Sequence, residues 1–157
     1  MVLKRVLVID DEENILSSLK GVLEDENFVV ETAKNGALGL QKLKKFQPDV
    51  VLLDIWMPGD DGIKVLEKIK KADPGVEVIM MSGHGTVETA VKTIKLGAFD
   101  FLEKPLHFDK ILLLLQHAFE LRNPIGEGRR FTTEWYKTQV VSEEKVEFKP
   151  RSVGRLL

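Results

Sequence analysis

The feature that most constrains the fold is a regular alternation, along residues 1–122, of short apolar runs with longer segments of helical periodicity. Runs rich in Val, Leu, Ile and Met predict five strands, at 5–9, 28–32, 50–53, 76–81 and 99–103. In the intervening segments, apolar residues recur every three or four positions, which is typical of amphipathic helices. They predict helices at about 15–27, 36–45, 63–72, 86–96 and 107–122.

This order predicts the fold class. Strands that are joined through helices run parallel, with the helices packed on the two faces of the sheet. We therefore expect an α/β fold, a flavodoxin-like doubly wound sheet of five parallel strands, (βα)5.

The remaining residues, 123–157, differ in character, since they open with the breaker cluster NPIGEG at 123–128 and then carry scattered aromatic residues. Two segments, 131–141 and 145–149, could form a hairpin, but about 35 such residues cannot bury a core of their own. We expect 1–122 to be the functional domain and 123–157 to be a linker or extension leading to an output domain that this chain lacks.

Composition excludes several classes of function. The chain has no cysteine, which rules out disulfides and thiolate metal sites. No apolar run is long enough to cross a membrane, so a cytoplasmic protein without membrane contacts is expected. The net charge is −2 and neither part of the chain is strongly basic, which argues against direct nucleic-acid binding.

Polar residues stand where the predicted strands end. Asp10 and Asp11 follow the first strand, Asp54 the third, Ser82 the fourth and Lys104 the fifth. Because parallel strands bring their carboxyl ends to one edge of the sheet, these side chains should converge there.

The converging groups favour one kind of chemistry. Three neighbouring carboxylates repel one another unless a cation is bound, and an all-oxygen ligand set favours Mg²⁺. A carboxylate beside a metal can act as a nucleophile towards phosphorus, while a lysine neutralises charge on the transferring oxygens. The pattern therefore predicts Mg²⁺-dependent phosphoryl transfer to an aspartate.

Taken singly, each residue has a plainer interpretation. Asp10 and Asp11 could be helix caps, Asp54 an ordinary turn residue, and Lys104 a solvated lysine before Pro105. Their joint placement at successive strand ends favours the functional interpretation.

Four segments carry a resemblance to a known family: VIDDE at 8–12, VLLDIWMP at 51–58, MSGHG at 81–85 and FLEKP at 101–105. Over about residues 3–122 the sequence resembles the receiver domain of bacterial two-component response regulators. WMPG at 56–59 and GAFDFLEKP at 97–105 are most similar to the nitrogen-regulation (NtrC-like) branch.

The resemblance implies a role for each site residue. Asp54 would be the phosphoacceptor, and Mg²⁺ would be held by Asp10, Asp11, Asp54 and the Trp56 backbone carbonyl. Ser82 and Lys104 would bind phosphoryl oxygens, with a cis peptide bond between Lys104 and Pro105.

The resemblance also implies a switch. On phosphorylation the Ser82 hydroxyl would move inward, the Phe101 ring would follow, and the face formed by 86–122 would respond. On this face, either Leu113 or Leu114 should be left exposed by the last helix, which favours a homodimer or an interdomain contact.

The implied partners are a sensor histidine kinase and an output domain or effector. The chain would be a regulatory domain rather than an enzyme, apart from its own phosphorylation and slow dephosphorylation. The NtrC-like branch implies transcription regulation as the output, but no Walker-type P-loop occurs here, so control of a fused or partner enzyme stays open.

Two other classes of protein are less compatible with the sequence. A phosphatase of the haloacid-dehalogenase type needs a second acid two residues after the nucleophile, where this chain has Trp56. A flavin-binding electron carrier needs a hydroxyl-rich loop after the first strand, where this chain has acids.

Overall fold

The structure is a computed structural model that describes residues 3–122. The predicted linker or hairpin at 123–157 lies outside the described residues. The strands are β1 (Arg5–Ile9), β2 (Val29–Ala33), β3 (Val50–Asp54), β4 (Trp56–Met57), β5 (Asp60–Asp61), β6 (Glu77–Ser82) and β7 (Asp100–Glu103). The helices are α1 (Glu13–Asp25), α2 (Gly36–Phe46), α3 (Gly62–Ala72), α4 (Val87–Lys95) and α5 (Phe108–Arg122).

Five strands form one parallel sheet in the order β2-β1-β3-β6-β7. The order reverses at β1, because the chain passes from β1 outward to β2 and then returns to β3 on the other side. In open α/β sheets the ligand site lies beyond the carboxyl ends of the strands at this point. The predicted flavodoxin-like α/β fold is confirmed, with strand bounds that differ from the expected ones by about one residue.

Alternate side chains of the central strands enter two separate cores. Val6 and Val8 of β1 pack on the side of α1 and α5, whereas Leu7 and Ile9 pack on the side of α2, α3 and α4. All four are fully buried, as expected for a parallel strand that is covered on both faces. The two cores fix β1 and β3 in the middle of the domain.

The last helix resolves one open expectation. Leu114 is buried in the core, whereas Leu113 is 50% exposed. Of the two leucines named as candidates, Leu113 is therefore the exposed one. In the described part of the chain, no helix combines the length and the apolar character needed to span a membrane.

The β4–β5 hairpin is an element that the sequence pattern did not predict. Trp56 pairs with Asp61 and Met57 with Asp60, antiparallel to each other. Pro58 and Gly59 join the two strands, and Gly59 has a φ of +77°, which favours glycine at the third position of a turn that has proline at the second. Two-residue strands show no periodicity, so the sequence pattern cannot reveal them.

Gly62, directly after the hairpin, allows two backbone segments to touch. A Cβ on Gly62 would lie 2.5 Å from the Asp54 carbonyl oxygen and 2.5 Å from the Ile55 Cα. The Gly62 amide also donates a 2.9 Å hydrogen bond to the Ile55 carbonyl. The start of α3 is thereby packed against the end of β3.

We expect Gly62→Ala to lower the free energy of unfolding by about 1–3 kcal/mol, since the added methyl meets backbone that cannot rotate away. Gly21→Ala is the matched control, because Gly21 lies inside α1 with nothing within 4 Å of a Cβ. That change should raise the free energy of unfolding by about 0.5–1 kcal/mol. Urea unfolding of the two variants checks this, and equal effects would contradict the packing described here.

Candidate functional site

Asp10 lies at the switch point, immediately after β1, and is fully buried. Its amide donates to the Ala33 carbonyl at 3.0 Å, which continues the pairing with β2. Its Oδ1 accepts a 2.9 Å hydrogen bond from the Glu12 amide, which orders the turn into α1. The N-cap residue of α1 is Glu12, so neither aspartate occupies the cap position that the plainer interpretation would give it.

Asp54 is the last residue of β3 and is only 2% exposed. It pairs with Met81 of β6, and the following amide, that of Ile55, donates to the Met81 carbonyl at 2.9 Å. The backbone at Asp54 is thus held by a central strand rather than by a turn. Its side chain lies beside those of Asp10 and Asp11.

Asp10, Asp11 and Asp54 form a compact carboxylate cluster, in which one oxygen of each lies within 4.8 Å of the others. Burial, the charge of Asp10 and the charge of Asp11 raise the pKa of Asp54 to about 6, against the opposing effect of Lys104. The three carboxylates offer only oxygen ligands and carry an excess of negative charge, which suits a hard divalent cation. Mg²⁺ is such a cation, and it is usually bound through one or two carboxylates.

Lys104 supplies the positive charge. Its Nζ donates to Asp10 Oδ2 at 2.9 Å and to Glu12 Oε1 at 3.0 Å, and lies 3.5 Å from Asp54 Oδ1. Burial lowers the pKa of Lys104, but the hydrogen bonds to Asp10 and Glu12, together with the charges of Asp10 and Asp54, outweigh it and hold the pKa above its usual value. The ammonium therefore stays charged at neutral pH.

The contact with Glu12 was missed at the sequence level. Glu12 adjoins the two aspartates, yet no strand-end rule places its side chain near Lys104, which is 92 positions away. The peptide bond between Lys104 and Pro105 is cis, as the family resemblance implied.

Ser82 and Phe101 lie on the neighbouring strands β6 and β7, and both are close to Gly85. Ser82, the last residue of β6, is fully buried, and its Oγ accepts a 3.0 Å hydrogen bond from the His84 amide. The Phe101 ring lies directly against Gly85, where a Cβ would collide with it and would come within 3.5 Å of the Ser82 Cβ. Gly85 therefore lies against both the Phe101 ring and the side chain of Ser82.

Trp56 lies two positions after Asp54, at the start of the β4–β5 hairpin, with its side chain 56% exposed. Next to the site, a cavity of about 650 Å³ opens between α1 and the start of α5, with Glu12 and Lys104 among its lining residues. The cavity therefore borders the Lys104 side of the site, and its lining does not include Asp10, Asp11 or Asp54.

Comparison with known proteins assigns the family. The model of the response regulator receiver domain matches residues 6–116. The chain belongs to this family. The resemblance on which the sequence interpretation rested is thereby confirmed.

Curated relatives point to the NtrC-like branch, as predicted. The chain is 39% identical over 132 residues to the nitrogen assimilation regulatory protein NtrX of Azorhizobium caulinodans, covering 81% of this chain and 29% of the relative. It is 34% identical over 138 residues to the DNA-binding transcriptional regulator NtrC of Escherichia coli, covering 88% of this chain and 29% of the relative. The chain thus spans under a third of each of these relatives.

Solved structures agree. The beryllofluoride-activated NtrC4 receiver domain dimer is 48% identical, with a TM-score of 0.72 over 75% of this chain and 98% of that one. The receiver domain of NtrX from Brucella abortus is 42% identical, with a TM-score of 0.70 over 73% of this chain and 98% of that one.

The raised pKa of Asp54 predicts a pH dependence of stability in metal-free protein. Between about pH 4 and pH 6 the folded state holds a proton on Asp54 that the unfolded state has lost, so stability falls as the pH rises through this window. Asp54→Asn removes this effect and should raise the free energy of unfolding at pH 7.5 by on the order of 2 kcal/mol, but hardly at pH 4.

Urea unfolding in EDTA at the two pH values measures this difference. Glu67→Gln, which removes an exposed carboxylate from the middle of α3, is the control and should show no comparable dependence. A benefit of Asp54→Asn that is the same at both pH values would contradict the prediction.

Proposed function

We propose that this chain is a phosphorylation-controlled switch of a two-component system, in which Asp54 accepts a phosphoryl group from a partner sensor histidine kinase. The observation that carries the proposal is the cluster of Asp10, Asp11 and Asp54, with one carboxylate oxygen of each within 4.8 Å of the others. The Lys104 ammonium lies 2.9 Å from Asp10 and 3.5 Å from Asp54 of this cluster. Membership of the receiver family supports the proposal.

In the proposed transfer, an Asp54 carboxylate oxygen attacks phosphorus, the new P–O bond forms, and the P–N bond to the kinase imidazole breaks. The departing imidazole leaves as a neutral base after taking up a proton. Lys104, which already lies 3.5 Å from Asp54 Oδ1, would neutralise one phosphoryl oxygen. Mg²⁺, when held by Asp10, Asp11, Asp54 and the Trp56 carbonyl, would supply the remaining positive charge.

Ser82 and Phe101 would convert this reaction into a change of shape. The Ser82 hydroxyl, whose oxygen accepts a 3.0 Å hydrogen bond from the His84 amide, would turn towards a phosphoryl oxygen to donate to it. Since the Phe101 ring shares its space with Ser82 and Gly85, the ring would shift in response. The affected surface is the 86–122 face, which includes α4, β7 and α5.

The chain would act as a regulatory domain and not as a dedicated enzyme. Trp56 occupies the position where a phosphatase with an aspartate nucleophile would need its second acid. Only slow hydrolysis of the phosphoryl group is therefore proposed.

We further propose that residues 123–157 connect this receiver to an output domain. The relatives named NtrC and AtoC of Escherichia coli are, respectively, a DNA-binding transcriptional regulator and a regulatory protein, which favours transcription regulation as the output. Control of a fused or partner enzyme is the alternative.

Acetyl phosphate with Mg²⁺ should add one phosphoryl group, which mass spectrometry detects as a single adduct that mild alkali removes. The adduct should be absent from Asp54→Ala, because that change removes the nucleophile. It should form at least tenfold more slowly in Lys104→Ala, because charge on the transferring oxygens is then less well balanced. Labelling that persists in Asp54→Ala would refute the proposal.

We also propose that phosphorylation promotes a homodimer through the 86–122 face. Val87 is 80% exposed, Val91 one helical turn later is 46% exposed, and Leu113 on α5 is 50% exposed. They flank β7, which is an edge strand of the sheet. The NtrC4 receiver domain forms a dimer in its beryllofluoride-activated state, which supports the same behaviour here.

Sedimentation velocity with beryllofluoride and Mg²⁺ should show tighter self-association than without them. Val87→Glu should weaken it by at least tenfold, since it places a charge in the apolar contact. Val22→Glu is the control, because Val22 is an exposed valine of α1, outside the proposed face. Equal weakening by both variants, or a monomer under all conditions, would count against this dimer.

A further inference from the structure

Asp60 makes a contact that the proposed chemistry does not use. Its Oδ2 accepts a 2.9 Å hydrogen bond from the amide of Gly36, which is 24 positions earlier and is the first residue of α2. The first turn of α2 contains no acidic residue of its own. Asp60 therefore supplies, from another element, the negative charge that stabilises the start of a helix.

The contact is closely packed. A Cβ on Gly36 would lie 3.5 Å from both Cγ and Oδ1 of Asp60, and 2.7 Å from Cγ2 of Val65 in α3. Only a residue without a side chain allows α2 to begin so near to the hairpin and to α3. The bond is thus part of the packing of three elements and not a surface contact.

Strand β5 is also anchored to a second helix. The neighbouring Asp61 accepts a 2.9 Å hydrogen bond from the Ile63 amide and so caps α3. The β4–β5 hairpin is therefore tied to α3 through Asp61 and to α2 through Asp60.

The hairpin carries Trp56, which pairs with Asp61 across it. A ribbon of two strands with two residues each has little stability of its own. Met57 holds β4 through burial in the core, whereas β5, which pairs with Trp56, is held by its two aspartates. Asp60 is one of its two side-chain anchors in the described residues.

We propose that Asp60 is a positioning residue for the metal site, because its bond to Gly36 fixes the hairpin and thereby holds the Trp56 carbonyl beside the carboxylates. This inference rests on the proposed function, in which that carbonyl is a ligand of Mg²⁺. Asp60 itself does not touch the metal. Its loss lowers Mg²⁺ affinity because the carbonyl then occupies the ligand position for less of the time.

Mg²⁺ titration with tryptophan fluorescence tests this. The chain has two tryptophans, so Trp135→Phe as the common background leaves Trp56 as the reporter. Asp60→Ala should weaken Mg²⁺ binding by about tenfold, as is usual when a residue that orients a ligand is removed. Asp60→Asn keeps an oxygen acceptor for the Gly36 amide and should lose no more than about twofold.

Asn35→Ala is the matched control. Asn35 caps the same helix by accepting a 2.8 Å hydrogen bond from the Leu38 amide, which belongs to α2 and not to the hairpin. Its loss should lower the free energy of unfolding by about 1 kcal/mol and leave Mg²⁺ affinity unchanged. Equal loss of affinity in Asn35→Ala and Asp60→Ala would show general loosening of α2 and overturn the inference.

Hydrogen exchange in metal-free protein gives a second readout. The amides of Gly36, Trp56, Met57 and residues 59–61 should exchange faster in Asp60→Ala but not in Asn35→Ala. If the background protein binds Mg²⁺ and Asp60→Ala binds it equally well, the positioning role is wrong while the proposed function stands. If the background protein binds no Mg²⁺, the proposed function fails as well.

Discussion

The site depends on an imbalance of charge that the central strands of the sheet impose. Asp10 and Asp54 are buried beside Asp11, and the nearby ammonium of Lys104 is shared among Asp10, Asp54 and Glu12. Burial of Asp54, together with neighbouring carboxylates that one positive charge cannot balance, raises its pKa to about 6. Groups that repel one another stay close only on a rigid support, which β1 and β3 provide through the cores on both of their faces. The same imbalance favours a cation.

The three partners of Lys104 differ in how firmly they hold it. Asp10 is fully buried and accepts at 2.9 Å, whereas Glu12 accepts at 3.0 Å with its side chain 57% exposed. An exposed ion pair contributes little, because water solvates both charges when it opens. New negative charge on Asp54 would therefore draw the ammonium away from Glu12 at small cost, while the bond to Asp10 keeps it in the site.

The fold and the polar residues at the strand ends were predictable because a buried parallel strand leaves a continuous apolar run that ends at a fixed edge. Asp10, Asp54, Ser82 and Lys104 all follow from that rule. The β4–β5 hairpin does not, since its strands have two residues each and show no period. The Glu12–Lys104 and Asp60–Gly36 contacts join residues 92 and 24 positions apart, and no local pattern encodes such pairs.

The sheet also explains how a reaction at one edge can reach an exposed surface over a short distance. The Lys104 amide donates to the Ser82 carbonyl at 2.8 Å, so the ends of β6 and β7 are joined beside Asp54, the proposed nucleophile. Phe101 of β7 lies against Gly85, which directly precedes the Thr86 cap of α4. A movement of Ser82 would therefore reach α4, which bears Val87 and Val91, through only the Phe101 ring and Gly85. Because this path is short, the proposed chemistry at Asp54 can be coupled directly to the apolar surface of α4.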